Sequence, residues 1–196
     1  MQKAGILHIQ RGFTLVEAMV TVAVLVILAT IAVPGLQAFA TRSGMNAIRD
    51  DFSIALQRAR LDAISRNTCV SICQLAEGKT DTCVATAREG WQEGWLVYVN
   101  AGCSSSLPKA ALPKAEIISV RQAGDARFQL IEEDSAGQVT FDARGTQIGQ
   151  WFSGYTKDAQ YTEQGDNPLA RSIVVNPQGR VSVAKYESDK SSGGAQ

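Results

Sequence analysis

Apolar residues run almost without a break over residues 13–36, and the polar residues bordering this stretch are basic before it and mixed after it. The run holds 24 residues. At about 1.5 Å per residue, a helix of that length crosses a hydrocarbon core of about 30 Å. One carboxylate, Glu17, interrupts it near its start. From Thr41 the pattern changes. Apolar side chains return at Met45, Ile48, Phe52, Ala55, Leu56, Ala59 and Ala63, the three-and-four spacing of an amphipathic helix that reaches about Arg66. Pro34-Gly35 predicts a bend between the halves, since proline removes a backbone donor and crowds the preceding turn. Ser43-Gly44 predicts a second loosening. As one element, residues 13–66 would extend about 80 Å.

After residue 66 the period shortens. Runs of branched and aromatic residues separated by Gly, Asp, Asn and Pro predict strands at 68–75, 82–86, 95–100, 115–121, 127–132, 138–141, 147–152, 171–175 and 180–186. Asn176-Pro177-Gln178-Gly179 suits a type I turn, so the last two strands should form a hairpin. Residues 104–113 read as a loop, and residues 187–196, without apolar anchors, as a mobile tail. The fold class is α+β: a long N-terminal helix, transmembrane over 13–36 and amphipathic to 66, followed by an antiparallel β domain over 67–186.

The 196 residues suffice for one globular domain behind such a helix. The 19 basic and 19 acidic residues balance, and setting aside Lys3 and Arg11 before Phe13 leaves 17 against 19. That mildly acidic body is unlike a general nucleic-acid-binding domain. Any DNA contact must come from a local patch. Lys3, His8 and Arg11 precede the apolar run with no acid among them, which keeps residues 1–12 cytoplasmic and sends the C-terminus across the membrane. Cys69, Cys73, Cys83 and Cys103 would then reach an oxidising compartment, where disulfides are expected rather than zinc ligation. Four cysteines allow three pairings; a link from Cys73 to Cys83 would staple a short hairpin and leave Cys69 with Cys103. The competing reading of the N-terminus is a secretory signal peptide cut after Ala40, against which stand the length of the apolar run, Glu17 at its entrance and a helix continuing past the cut.

Arg11-Gly12-Phe13-Thr14-Leu15-Val16-Glu17, a basic leader ending in Gly, then Phe, then Glu five residues after the Gly, resembles the prepilin signal of type IV pilins and type II secretion pseudopilins. The resemblance implies cleavage after Gly12 by a prepilin peptidase, N-methylation of Phe13, and a helix kink at Pro34. Gln57–Asn67 with Arg58, Ala59, Arg60 and Ala63, the run Gly94-Trp95-Leu96-Val97-Tyr98-Val99-Asn100, and Ile173 through Val181 with its Asn176-Pro177-Gln178-Gly179-Arg180 core are similar to the FimT and GspH group of minor pilins and pseudopilins. This implies a helix packed on two antiparallel sheets, an inner-membrane subunit with a periplasmic domain, and partners among major and minor pilins or pseudopilins, with membrane lipid as the surroundings before assembly. Physical chemistry supports an assembly role for Glu17: within packed helices its carboxylate can meet the new ammonium of Phe13 on a neighbouring subunit, so that two costly charges are satisfied together. The bland alternative is that Glu17 reaches water near the headgroups.

Catalysis is not expected. The only histidine is His8, and no nucleophile elbow or phosphate-cradling loop is present; no metal or cofactor is called for. Glu132-Glu133 point to opposite faces of a strand, as at an exposed edge. Trp91, Trp95 and Trp151 could form a binding platform, but tryptophans at strand positions are expected in the core. Some FimT-type minor pilins bind DNA through a C-terminal Gly-Arg-x-Arg element, and this chain has Gly179-Arg180-Val181-Ser182. Arg180 matches, the second Arg is Ser182, and Lys185 with Arg171 could supply replacement charge to phosphates. Against this, Glu187 and Asp189 dilute that patch, and Arg180 after a hairpin turn simply points into solvent. The expected function is that of a minor pilin in type IV pilus assembly, with DNA capture and type II secretion as the alternatives.

Overall fold

The computed structural model describes residues 13–87, 90–134, 136–161 and 167–187. The leader through Gly12, the side chain of Pro34 and the expected tail from residue 188 lie outside the described residues. Two compact units are present, Met1–Ala40 and Thr41–Gln196, and helix α1 (Leu15–Arg66) contributes to both.

In the second unit, α1 buries one face: Met45, Ile48, Phe52, Leu56, Ala59 and Ala63 are all within 4 % of full burial, as the three-and-four spacing predicts. The helix ends where Asn67 takes a left-handed φ of 51°. Thr68 N–H then bonds the Ala63 carbonyl (3.2 Å) and Asn67 N–H the Ile64 carbonyl (3.3 Å), which satisfies two orphan acceptors in the manner of a Schellman cap. The expected loosening at Ser43-Gly44 is overturned. Gly44 is helical and lies so close to the Phe128 ring that a Cβ would collide with it, so the glycine serves close packing rather than flexibility.

Nine strands follow among the described residues: β1 (Val70–Gln74), β2 (Gly94–Val99), β3 (Ile117–Gln122), β4 (Phe128–Glu132), β5 (Gln138–Phe141), β6 (Gln147–Ile148), β7 (Phe152–Asp158), β8 (Arg171–Val175) and β9 (Val181–Lys185). They form two antiparallel sheets, β3-β2-β1-β5-β6 and β4-β7-β8-β9, so the α+β architecture with two sheets is present. Two strand expectations fail. Residues 82–86 make only an isolated bridge between Leu75 and Cys83, and 147–152 divides at Gly149, whose φ of 81° ends β6. The seven-residue β7 that follows was missed because Gly154 and alternating polar residues dilute its apolar pattern.

The core lies between α1 and both sheets. Val70, Ile72, Trp95, Val97, Val139 and Phe141 come from the first sheet, and Leu130, Phe152, Ile173 and Val175 from the second. Phe52 is its hub: its ring lies 4.9 Å from Trp91, 5.0 Å from Trp95 and 5.1 Å from Phe152. Trp151 is the exception to the expected tryptophan core, being 50 % exposed, because the residue before β7 faces away from the side that Phe152 buries. At one end of the second sheet Arg127 grips Asp158 with two bonds of 3.0 Å and gives a third to the Thr41 hydroxyl (2.7 Å). That pairing holds the Asp158 carboxyl below its ordinary range.

Candidate functional site

In the first unit the described side chains are uniformly exposed, residues 13–33 and 35–40 alike. Leu15 is 75 % exposed, Ile31 74 % and Phe39 69 %. No soluble helix leaves such a length of apolar surface uncovered, and this helix is long and apolar enough to cross a membrane. Thr14 caps its start: the Thr14 hydroxyl accepts from Glu17 N–H at 3.2 Å, so Glu17 stands at the capping-box position, where the helix N-terminus favours an anion. Among the described residues no ion pair engages Glu17. Its carboxylate is exposed, in the only apolar stretch of membrane length among them. The helix runs on through Pro34-Gly35.

The motif residues of the second unit converge on a structural clamp. Arg60 donates through Nε to the Gly145 carbonyl (2.8 Å) and through Nη2 to the Gln178 carbonyl (3.2 Å), pinning the turn after β5 and the turn between β8 and β9 onto α1. Gly179, at φ 74°, closes that second turn with its N–H on the Asn176 carbonyl (2.8 Å), and any Cβ there would strike the Gly145 carbonyl oxygen. A side chain at 179 is excluded both by backbone conformation and by space. Sequence reading found the turn but not the clamp, because Arg60 lies 85 and 118 residues from the two carbonyls it holds.

The three candidate DNA-contacting cations are not gathered. Arg171 and Lys185 are register partners at one end of the β8–β9 ladder, with Arg171 Nη1 turned onto the Pro168 (3.0 Å) and Ala170 (2.8 Å) carbonyls. Arg180 precedes the other end of β9, about 16 Å away along the strand and of opposite parity. Ser182, where the matching element has its second Arg, is exposed and donates its hydroxyl to the Val174 carbonyl (3.3 Å).

The cysteines pair as Cys69–Cys103 and Cys73–Cys83, with Cα separations of 5.2 and 5.8 Å. Cys69 stands just before β1 and Cys73 within it, on the face turned away from α1. Each anchors a loop that covers this outer face, and the loops join where Leu112 N–H meets the Asp81 carbonyl (2.7 Å). Beneath them is a polar network that the sequence did not reveal. The Ser104 carbonyl accepts from Asn100 Nδ2 (2.7 Å), Gln138 Nε2 (2.9 Å) and the Thr140 hydroxyl (3.3 Å), and Asn100 Nδ2 also reaches the Ser71 hydroxyl (2.8 Å). Tyr98 donates its hydroxyl to Gln138 Oε1 (2.9 Å), and burial pushes that phenol up to about 12.

Glu132 corrects the expectation of an exposed acidic pair. It is 1 % exposed and accepts from Trp91 Nε1 (2.9 Å), Ala136 N–H (3.0 Å) and Gly137 N–H (3.1 Å); only Glu133 faces solvent. Strand alternation did send the two to opposite faces, but the inner face is core rather than water. Burial raises the Glu132 carboxyl above its ordinary value, the three donors pull it back, and Asp134 adds to the rise. A raised acid contributes stability at low pH that is lost as pH climbs through its folded value. The melting-temperature gap between wild type and Glu132→Gln should therefore move against the wild type as pH rises from about 4 to about 7. Parallel pH profiles for the two proteins would contradict this.

Comparison with known proteins adds to this geometry. Residues 50–179 match the family described as Type II transport protein GspH, and residues 7–33 match the prokaryotic N-terminal methylation motif. The type IV major fimbrial protein FimA of Dichelobacter nodosus is 31 % identical over 98 residues, which cover 50 % of this chain and 52 % of FimA. The chain thus spans about half the length of that relative. Two crystal structures of the type IV minor pilin FimU from Pseudomonas aeruginosa share the fold, with TM-scores of 0.50 and 0.51 at 17 % and 18 % identity. They match over 71 % and 78 % of this chain and 91 % and 95 % of theirs. The GspH match opens on the buried half of α1 and closes on the glycine of the Arg60 clamp, so it takes in both sheets and the contacts that bind them to the helix, and the chain belongs to the GspH family of structural pilins and pseudopilins.

Proposed function

We propose that this chain is a minor pilin, a structural subunit without enzymatic activity that primes or joins a type IV pilus or pseudopilus. It enters the inner membrane through residues 13–36 with its leader cytoplasmic and its β domain periplasmic, is cut after Gly12 by a prepilin peptidase, and is N-methylated on Phe13. The observation that carries this reading is the uniformly exposed apolar stretch of α1 before Thr41, with one carboxylate, in a chain whose domain core takes its helical side chains from Ile48 onward. Such a surface is satisfied first by lipid and then by other helices of the same kind.

Intact-mass and N-terminal peptide analysis of the protein from native membranes tests the processing. A mature start at methylated Phe13 is the expected result; a start at Thr41 would indicate a secreted domain and overturn the reading. The GspH family match favours a secretion pseudopilus and the likeness to FimA and FimU favours a pilus. Deletion of the gene discriminates between them, through loss of surface pili in one case and loss of protein secretion in the other.

A further inference from the structure

Among the described residues the two sheets leave four strand edges, β3 and β6 in the first and β4 and β9 in the second. Three are short, irregular or occupied. β6 has two residues, and its Gln147 N–H is taken by the Pro177 carbonyl (3.0 Å). β4 carries a bridge to Gly90, with Trp91 N–H on the Leu130 carbonyl (2.8 Å). β3 pairs through a register shift at Val97/Tyr98 and is tied by Arg121 to Asp51 (3.2 Å). β9 has none of these protections: it runs in unbroken register with β8, contains no proline, and exposes Val183 to 44 %. A regular, uncovered edge of this kind is a template for another strand.

The phase of the ladder identifies which groups are open. Asn176 N–H bonds the Arg180 carbonyl (3.1 Å) and Tyr186 N–H the Ala170 carbonyl (3.2 Å), and hydrogen-bonded pairs alternate with non-bonded ones between those limits. Ser182 and Ala184 therefore spend their backbone groups on β8. Val181, Val183 and Lys185 turn theirs outward, and among the described residues nothing meets them. The strand and its ladder partner carry only positive charge: Arg180 precedes β9, Lys185 ends it, Arg171 is the register partner of Lys185, and neither β8 nor β9 contains an acid, the first acid after them in the chain being Glu187.

We propose that the outer edge of β9 is a β-augmentation site that takes up an extended acidic segment of a partner protein as an added strand. The open N–H and C=O groups of Val181, Val183 and Lys185 give the main-chain ladder, Val183 packs on an apolar side chain opposite, and carboxylates of the incoming strand meet Lys185 and Arg180. An extended strand fits where a helix does not, because only a strand presents donors and acceptors at the spacing of this edge. The site does not depend on Glu17 or on filament formation.

The test uses the full chain in detergent micelles, titrated with a synthetic peptide containing Glu-Thr-Val-Thr-Val-Glu, which in antiparallel register sets a valine opposite Val183 and glutamates opposite Lys185 and Arg180, and followed by residue-resolved amide hydrogen exchange. Exchange at Val181, Val183 and Lys185 should slow by about tenfold or more, with Ser182 and Ala184 little changed because their bonds already exist. Val183→Pro removes one outward donor and no bond to β8, so melting should hold while peptide affinity falls by about tenfold. Lys185→Glu should shift preference toward the same peptide with lysine in place of its first glutamate. The proposal is overturned if the acidic peptide at millimolar concentration protects none of the three amides, if both variants bind as wild type does, or if a duplex oligonucleotide protects this edge and the peptide does not. No filament is present in this experiment, so its failure leaves the Phe13 processing test standing.

Discussion

Glu17→Ala is expected to insert into the membrane and lose its leader like the wild type, yet to disappear from assembled filaments. Insertion is not impaired, because alanine is cheaper to place in lipid than a carboxylate at the same depth. Assembly suffers because the proposed partner, the ammonium created at Phe13 of a neighbouring subunit, loses its counter-charge in a water-free bundle. Removing one member of a buried pair typically costs about 3–5 kcal/mol, most of it from the charge left behind. At about 1.4 kcal/mol per tenfold, incorporation falls by more than a hundredfold. Within the chain the Glu17 carboxylate is exposed, and no ion pair among the described residues competes for it, so it is free for a partner in trans. Filament blots of the variant beside membrane blots separate the two steps. Incorporation at the wild-type level would sink the pairing and leave Glu17 as a residue that merely reaches the headgroups.

The second large effect belongs to the β domain. Phe52→Ala should destabilise it by about 3–5 kcal/mol, the range for emptying a buried aromatic site, out of a total of about 5–15 kcal/mol. For a domain of this size the melting temperature should drop by about 6–20 °C. Phe52 is fully buried and its ring touches Trp91, Trp95 and Phe152, residues drawn from both sheets and from the segment before β2. A cavity there loosens the seat of α1 on both sheets at once. Trp151→Ala is the control: half-exposed and adjacent to β7, it should change stability by about 0.5 kcal/mol or less. Equal losses in the two variants would show that the aromatic cluster is not the keystone the geometry indicates.

Much of this architecture was legible from short-range pattern. The buried face of α1 follows from a spacing that repeats every three or four residues, and each repeat reinforces the last. The β8–β9 hairpin follows from four residues whose backbone preferences agree with one turn; β5 and β8 have the boundaries that sequence pattern assigned. Reading failed where a residue's role depends on something distant in sequence. Gly44 looked like a weak point because nothing local shows that Phe128 will press against it. Residues 82–86 have the composition of a strand but spend their position on a disulfide with β1 instead of a ladder. Glu132 reads as a solvent-facing acid until Trp91 and the backbone at 136–137 close around it.

The amino-acid order by itself determined that one segment is long and apolar enough for a membrane, that Glu17 stands alone in it, that the next segment is an amphipathic helix, and that strands with a final hairpin cover it. All of these are properties of spacing and transfer free energy over stretches of a few to a few tens of residues. Tertiary structure alone decided that Cys69 joins Cys103 and Cys73 joins Cys83, that Arg60 clamps two turns, that Arg171, Lys185 and Arg180 stand at opposite ends of an edge instead of in one patch, and that β9 is the edge left open. Those outcomes depend on which strands become neighbours and in what register. Register is a long-range choice made by the packing of α1 against two sheets at once, and no local run of residues contains it.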